Sequence, residues 1–142
     1  MDITEFYRLG VSQSSAFDVI LGSQDNGTAQ FDGENWGKAY AGDGMECIID
    51  PVNDDRRYVS TYNGNLRRST NGGLSFNQMI NSGIIENFYN VEENGSWVTP
   101  YILEPGNPKN IYAGYNNVWK NTNYGTVNSW SKISSFGDGV NI

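Results

Sequence analysis

Three short acidic turns are the places where this sequence could do chemistry: Asp25-Asn26-Gly27, Gly42-Asp43-Gly44 and Gly137-Asp138-Gly139. Each sets a carboxylate beside glycine, and glycine lets backbone approach a ligand closely. Such carboxylates have three uses. They can accept backbone N–H bonds in a sharp turn. They can ring a cation or a polyol, with Asp25, Asn26, Asp43 and Asp138 as the binding set. Carboxylates and backbone carbonyls suit Ca²⁺, although the spaced ligands of an EF-hand loop are missing. Third, a pair such as Asp25 and Asp43 could be catalytic and cleave a glycosidic bond. That chemistry needs one acid of raised pKa opposite an ionised partner. On the sequence all three readings stay open.

Much other chemistry is excluded. The chain has no histidine and one cysteine, Cys47. It therefore has no intrachain disulfide and no zinc site of the usual Cys/His kind. Ser-His-Asp and Cys-His catalysis within the chain go with the histidine. No metal centre is assigned, and no cofactor is expected beyond a Ca²⁺ ion at the acidic turns. Cys47 lies in the run Met45-Glu46-Cys47-Ile48-Ile49 and reads as a small buried hydrophobe.

Net charge is −7, from nine Lys plus Arg against sixteen Asp plus Glu. A nucleic-acid face needs clustered basic residues, so nucleic acid is excluded as a partner, and an anionic lipid surface with it. The nearest clusters, Arg56-Arg57 and Arg67-Arg68, read as exposed strand edges guarded by charge. No stretch reaches the ~18 apolar residues of a membrane span, so no membrane insertion is expected.

The elements that carry the acidic turns follow from a repeat. Ile48-Ile49-Asp50-Pro51, a polar turn, then Tyr58-Val59-Ser60-Thr61-Tyr62-Asn63 matches Ile102-Leu103-Glu104-Pro105, a turn, then Ile111-Tyr112-Ala113-Gly114-Tyr115-Asn116. Asp50 corresponds to Glu104 and Tyr58 to Tyr112 at one constant spacing. A fainter copy comes first, with strand-like Phe6 to Val11, Val19 to Gly22 and Thr28 to Phe31. Each unit reads as four short strands in a meander; in the second they fall near 45–50, 57–62, 65–69 and 75–80. The turns carry Asp-Pro, Asn-Gly or Asn-Gly-Gly, which are hairpin and loop signals. The composition agrees, with 13 % aromatics and 17 glycines. No long helical periodicity appears.

Four-stranded units at this repeat length point to an all-β chain of about three β-propeller blades, a fragment or half of a closed propeller. Blade 1 is expected over about 3–41, blade 2 over about 44–80, an insertion over 81–96, blade 3 over about 97–134, and the start of another blade over 135–142. In such a fold second-to-third strand turns share a face with the crossings between blades. Asp25, Asp43 and Asp138 are thus expected on one face, near the central axis.

Ser69-Thr70-Asn71-Gly72-Gly73-Leu74-Ser75-Phe76 resembles the Asp box, the Ser-x-Asp-x-Gly-x-x-Trp turn of sialidase-like (BNR-like) propellers. Asn121-Thr122-Asn123-Tyr124-Gly125, with Trp130 beyond, resembles a degenerate second copy. Both depart from the pattern, since Asn71 and Asn123 stand where Asp is usual. The resemblance gives Ser69, Asn71, Gly73, Phe76, Asn123, Gly125 and Trp130 a structural role: a short side chain accepts N–H bonds of the turn and an aromatic closes the corner. Gly22 to Thr28, Gly42 to Glu46 and Ala113 to Lys120 are similar to repeats of large secreted proteins of Bacteroidetes-type bacteria. More distantly they resemble the propellers of sortilin, xyloglucan-cleaving glycoside hydrolases and photosystem assembly factors. This implies a secreted or cell-surface location.

Sialidase activity itself is disfavoured. It needs three convergent arginines, and adjacent arginines on a strand point to opposite faces. Trp36, Trp97, Trp119 and Tyr115 could stack on sugars if exposed, or pack between blades. The expected function is a non-catalytic module of a secreted or surface protein making protein or glycan contacts. The alternative is part of a glycoside hydrolase using paired carboxylates. Neither end blade looks capped: the first offers Tyr7, Leu9, Val19, Ile20 and Leu21, the third Ile102, Leu103, Ile111, Tyr112 and Trp119. Its partner is then the rest of a propeller or a second copy of the chain.

Overall fold

A computed structural model describes residues 4–80 and 93–136. Among the described residues the regular elements are strands and two short 3₁₀ turns. The first sheet holds β1 (Phe6–Val11), β2 (Asp18–Ser23), β3 (Gly27–Asp32) and β4 (Trp36–Tyr40). The second holds β5 (Cys47–Ile49), β6 (Arg57–Thr61), β7 (Asn65–Ser69) and β8 (Asn77–Ile80). The third holds β9 (Tyr101–Glu104), β10 (Asn107–Gly114), β11 (Val118–Asn121) and β12 (Trp130–Lys132). Each sheet keeps its strands in chain order, as short turns between antiparallel neighbours require.

The chain groups into two compact units. One is Met1–Thr61 with Arg67–Asn77, the other Tyr62–Leu66 with Gln78–Ile142.

In the first unit, Ile20, Cys47, Ile49 and Val59 form a buried cluster, with Ala39, Tyr40 and Phe76 packed against it. Strand alternation explains which face of the first sheet joins it. Gly10, Ile20, Gln30 and Gly37 lie opposite one another across the four strands, on one face. A Cβ on Gly22 of that face would lie 2.1 Å from the Met45 carbonyl oxygen, so only glycine lets β2 approach the entry to β5. Val11, Val19, Phe31 and Trp36 are opposite one another on the other face. Leu9, Val11 and Trp36 are exposed there, and the Phe31 and Trp36 rings meet at 5.2 Å. This face is apolar and open.

The arginine pairs differ from the expectation. They do not form an exposed edge, because β6 and β7 are interior strands of their sheet. Arg57 is buried and forms a two-pronged pair with Asp18, at 2.8 Å and 2.5 Å. Arg56 bonds the fully buried Asp50 at 2.7 Å. The Arg67 guanidinium lies over the Tyr40 ring, 5.0 Å from its centroid. An interior strand tolerates such residues when their charges are paired.

In the second unit, Leu103, Ile111, Asn121 and Trp130 are opposite one another, and Tyr101, Ala113 and Trp119 lie on the same face. Most of that face is buried. The other face is polar, contrary to the expectation of an uncapped third blade. Glu104 accepts from Asn110 Nδ2 at 2.7 Å and from the Tyr112 hydroxyl at 2.9 Å. Lys120 sits 3.6 Å from Glu104 and 5.0 Å from the Tyr112 ring centroid. Ile111 and Trp119 belong to the buried face; Ile102 is the exposed apolar residue left on the polar one. A polar outer face is how repeat proteins end a stack.

Candidate functional site

The turns leave the strands at recurring points, and each point has an acceptor. At the end of each third strand stands a short polar residue: Asp32, Ser69 or Asn121. Asp32 Oδ1 accepts from the N–H groups of Glu34 and Asn35 at 2.9 Å and 2.8 Å. Ser69 Oγ accepts from Asn71 and Gly73 at 3.2 Å and 2.9 Å. Asn121 Oδ1 accepts from Asn123 and Gly125 at 2.9 Å and 2.8 Å, and its amide donates to the Thr126 carbonyl at 2.8 Å. These N–H groups have no strand partner, so a side-chain oxygen serves instead. The first-to-second turns repeat the device. Ser12 Oγ accepts from Ser14 and Ser15, and Asp50 Oδ1 from Val52 and Asn53.

This arrangement places the motif residues. Asn71 is exposed; its Oδ1 accepts from Ser75 N–H at 3.0 Å and from the Ser69 hydroxyl at 2.8 Å. Gly73 and Gly125 are buried and have positive φ, 87° and 76°, which a side chain would strain. Phe76 is half-buried, edge-on to Tyr40 at 5.8 Å. Trp130 is buried and Asn123 exposed.

Asp25 and Asp43 come together. The turn from β2 to β3 puts Asp25 in the left-handed region, φ 62°, and its N–H donates to Asp43 Oδ1 at 2.9 Å. Asn26 Nδ2 donates to the Gln24 carbonyl at 3.3 Å. Asp25 and Asn26 are exposed and Asp43 half-buried. Gly44, beside Asp43, lies against backbone: its Cβ would fall 2.5 Å from the Gly27 carbonyl oxygen. The room that glycine leaves there is taken by the protein's own turn. Asp138 lies outside the described residues. Among the described residues, no group of three or more His, Cys, Asp or Glu side chains is placed to hold a metal ion.

One residue with functional potential, Glu46, carried no sequence signal. Glu46, at the entry to β5, is half-buried, and burial pushes its carboxyl up toward the protonated form. Arg8, 3.1 Å away, opposes that shift without cancelling it. Cys47 next to it is a free thiol pushed up to about 12, chiefly by burial and then by the Glu46 charge. Of the four aromatics that could meet sugars, Trp119 and Tyr115 are buried, which removes them, while Trp36 and Trp97 are exposed. Trp97 stacks on Tyr62, a partner found only in three dimensions.

No family model and no curated protein matches the sequence. Solved structures do match in fold. An ancestral GH74 enzyme superposes with a TM-score of 0.68 and 16 % identity, over 94 % of this chain and 19 % of that one. A GH74 enzyme from Niastella koreensis superposes with a TM-score of 0.62 and 19 % identity, over 92 % of this chain and 22 % of that one. The chain thus spans about a fifth of the length of either. At such identity the likeness is one of fold: an all-β chain whose three four-stranded antiparallel sheets resemble propeller blades.

Proposed function

We propose that this chain is a non-catalytic β-propeller module of a secreted or cell-surface protein, and that it makes glycan or protein contacts. The observation that carries the reading is the bond from Asp25 N–H to Asp43 Oδ1. It supports a turn role for the better placed of the two candidate carboxylates, since a side chain holding a backbone N–H is poorly free to activate water. In this reading the turns at Ser69 and Asn121 are Asp-box turns in which an amide has replaced the usual acid. The apolar open face of the first sheet is where the rest of a propeller, or a second copy of the chain, docks. A glycan array run beside a hydrolysis screen on β-glucans tests the reading. Binding without turnover is expected, and turnover lost in Asp43→Asn would overturn it. Light scattering after size exclusion tests the docking face. Self-association that Val11→Lys abolishes identifies a second copy as the occupant, whereas a monomer binding no hydrophobic dye sinks the docking proposal.

One observation favours a second reading, part of a glycoside hydrolase. Burial shifts the Glu46 carboxyl upward, the direction an acid catalyst needs. A partner carboxylate at roughly 5–10 Å across a bound sugar completes that chemistry. Hydrolysis abolished by Glu46→Gln, with fold intact, would move the assignment there.

A further inference from the structure

We infer that Arg67 anchors a protein-binding site, and that its guanidinium takes a glutamate side chain of the partner. The inference rests on the protein-contact half of the reading above and gives it a place. Arg67, Tyr40 and Phe76 lie in the first unit, and all are half-buried. The guanidinium sits over the Tyr40 ring, 5.0 Å from its centroid, and Phe76 meets that ring edge-on at 5.8 Å. Among the described residues Arg8, Arg56 and Arg57 are paired with Glu46, Asp50 and Asp18, whereas no carboxylate pairs with Arg67. Its Nε is buried with no acceptor.

A cation in that state is costly. Charge taken from water needs a counter-charge and hydrogen-bond partners, and attraction to a ring face offsets only part of the loss. The meander itself does not call for the charge. Ser69 and Asn121 end the third strands of their sheets, and Arg67 and Trp119 stand at the same distance before them. Trp119 is buried and neutral. An aromatic side chain thus fills the matching place in the third sheet, and what binds the charge at Arg67 is left to account for it.

The ligand class follows from chemistry. Nε alone of the three nitrogens is sealed off and unsatisfied, so an acceptor comes from outside to Nη1 and Nη2. Those two form one end of the planar fork, which matches paired oxygens of a carboxylate or a phosphate. A net charge of −7 weighs against a dianion more than against a monoanion, which selects the carboxylate. The guanidinium already covers a face of Tyr40, so that face is lost to a sugar ring. A uronic acid also carries its carboxylate directly on the bulky pyranose. Glutamate brings its own on a thin aliphatic stem that reaches a recessed fork. Arginine beside aromatics is, moreover, the residue mixture that anchors protein interfaces.

The experiment is NMR titration of the intact chain with an end-blocked pentaglutamate peptide. Pentaglutamine, an oligoglucuronate and inorganic phosphate are the comparators. Pentaglutamate should move the Arg67 Nε–H signal saturably, more weakly at high salt, and pentaglutamine should leave it in place. Arg67→Met should weaken pentaglutamate binding by about tenfold, and Arg67→Lys by about threefold or more, because an ammonium lacks the fork. Lys38→Met removes an exposed cation of the same unit and should bind as the parent chain does. The signal in the parent chain needs no variant to fold. A signal unmoved by pentaglutamate, or binding undiminished in both Arg67 variants, refutes the site. Oligoglucuronate moving the signal equally refutes the protein class, and phosphate doing so reduces the site to an adventitious ion only. Glycan binding on the array with a silent Arg67 signal refutes this site and spares the glycan half of the reading.

Discussion

Replacing Ser69 by alanine tests the idea that strand-end acceptors, and not the residue at the motif's acidic position, hold the turns. Ser69 is fully buried, and its one oxygen takes two N–H groups and gives one bond to Asn71. Gly73 N–H is buried, so losing its acceptor costs about 1–3 kcal/mol. Asn71 is exposed, water can replace its lost bond, and that loss is nearer the net value of about 1 kcal/mol. Ser69→Ala should therefore destabilise by about 2–4 kcal/mol. Asn71→Ala removes bonds to Ser75 and Ser69 at an exposed site and should cost about 0.5–1.5 kcal/mol. Ser69→Thr keeps the oxygen and should lose clearly less than Ser69→Ala. Urea unfolding followed by circular dichroism gives the values, with the slope unchanged if only stability has moved. A cost for Ser69→Ala below about 0.5 kcal/mol, or a larger cost for Asn71→Ala, would refute the reasoning.

Trp130→Ala should cost about 3–5 kcal/mol, and Phe76→Ala about half that because Phe76 is only half-buried; the reverse order in urea unfolding would mean the corners are misread. Cys47 is buried, with its thiol pushed up to about 12, so iodoacetamide at pH 8 should label it only as the chain unfolds; rapid labelling of the native chain would contradict the core assignment. The carboxyls of Asp32, Asp54 and Glu104 are held below their ordinary range, first by Asn35 N–H, by the Ser14 hydroxyl and by Asn110 respectively. Groups lowered in the folded state contribute stability that is present above the ordinary carboxylate range and lost as pH falls through their depressed values. Melting temperature should fall along that limb, and Asp54→Asn should flatten it. Glu46 has the opposite sign: its raised carboxyl makes the fold lose stability as pH rises through its folded value, so Glu46→Gln should reduce that loss.

The meander was legible because strands and turns are written locally. Short apolar runs such as Ile48-Ile49 and Tyr58-Val59, with Asp-Pro and Asn-Gly between them, mark strands and reversals without tertiary knowledge. What was not legible depends on neighbours distant in sequence. Arg57 reads as an edge charge until Asp18 is seen across the first unit. Tyr115 reads as either a sugar-stacking or a blade-packing aromatic until its buried hydroxyl meets Gly64. The third sheet reads as apolar from Ile111 and Trp119, yet register sends those side chains inward and Glu104, Asn110, Tyr112 and Lys120 outward. The strand-end acceptor was hidden for another reason: Asp32, Ser69 and Asn121 are three residue types in one role, and no single-letter pattern joins them.

That shared role also bears on what the acidic composition means. Sixteen acids in this chain suggest many places for chemistry. Yet Asp32, Asp43, Asp50 and Glu93 each accept a backbone N–H, Asp18 is paired with Arg57, and Glu104 holds a polar face. Short strands make many turns, and every turn leaves N–H groups that the sheet cannot satisfy. An acid is a strong acceptor for them, so a high acid count is what a meander of short strands calls for, whether or not it binds or cleaves anything. A carboxylate informs about function only when such a role does not account for it. Glu46 meets that test better than Asp43, because burial raises its carboxyl and the Arg8 side chain bonds it. Asp25 and Asp43, conspicuous in the sequence beside glycine, are conspicuous because they turn the chain.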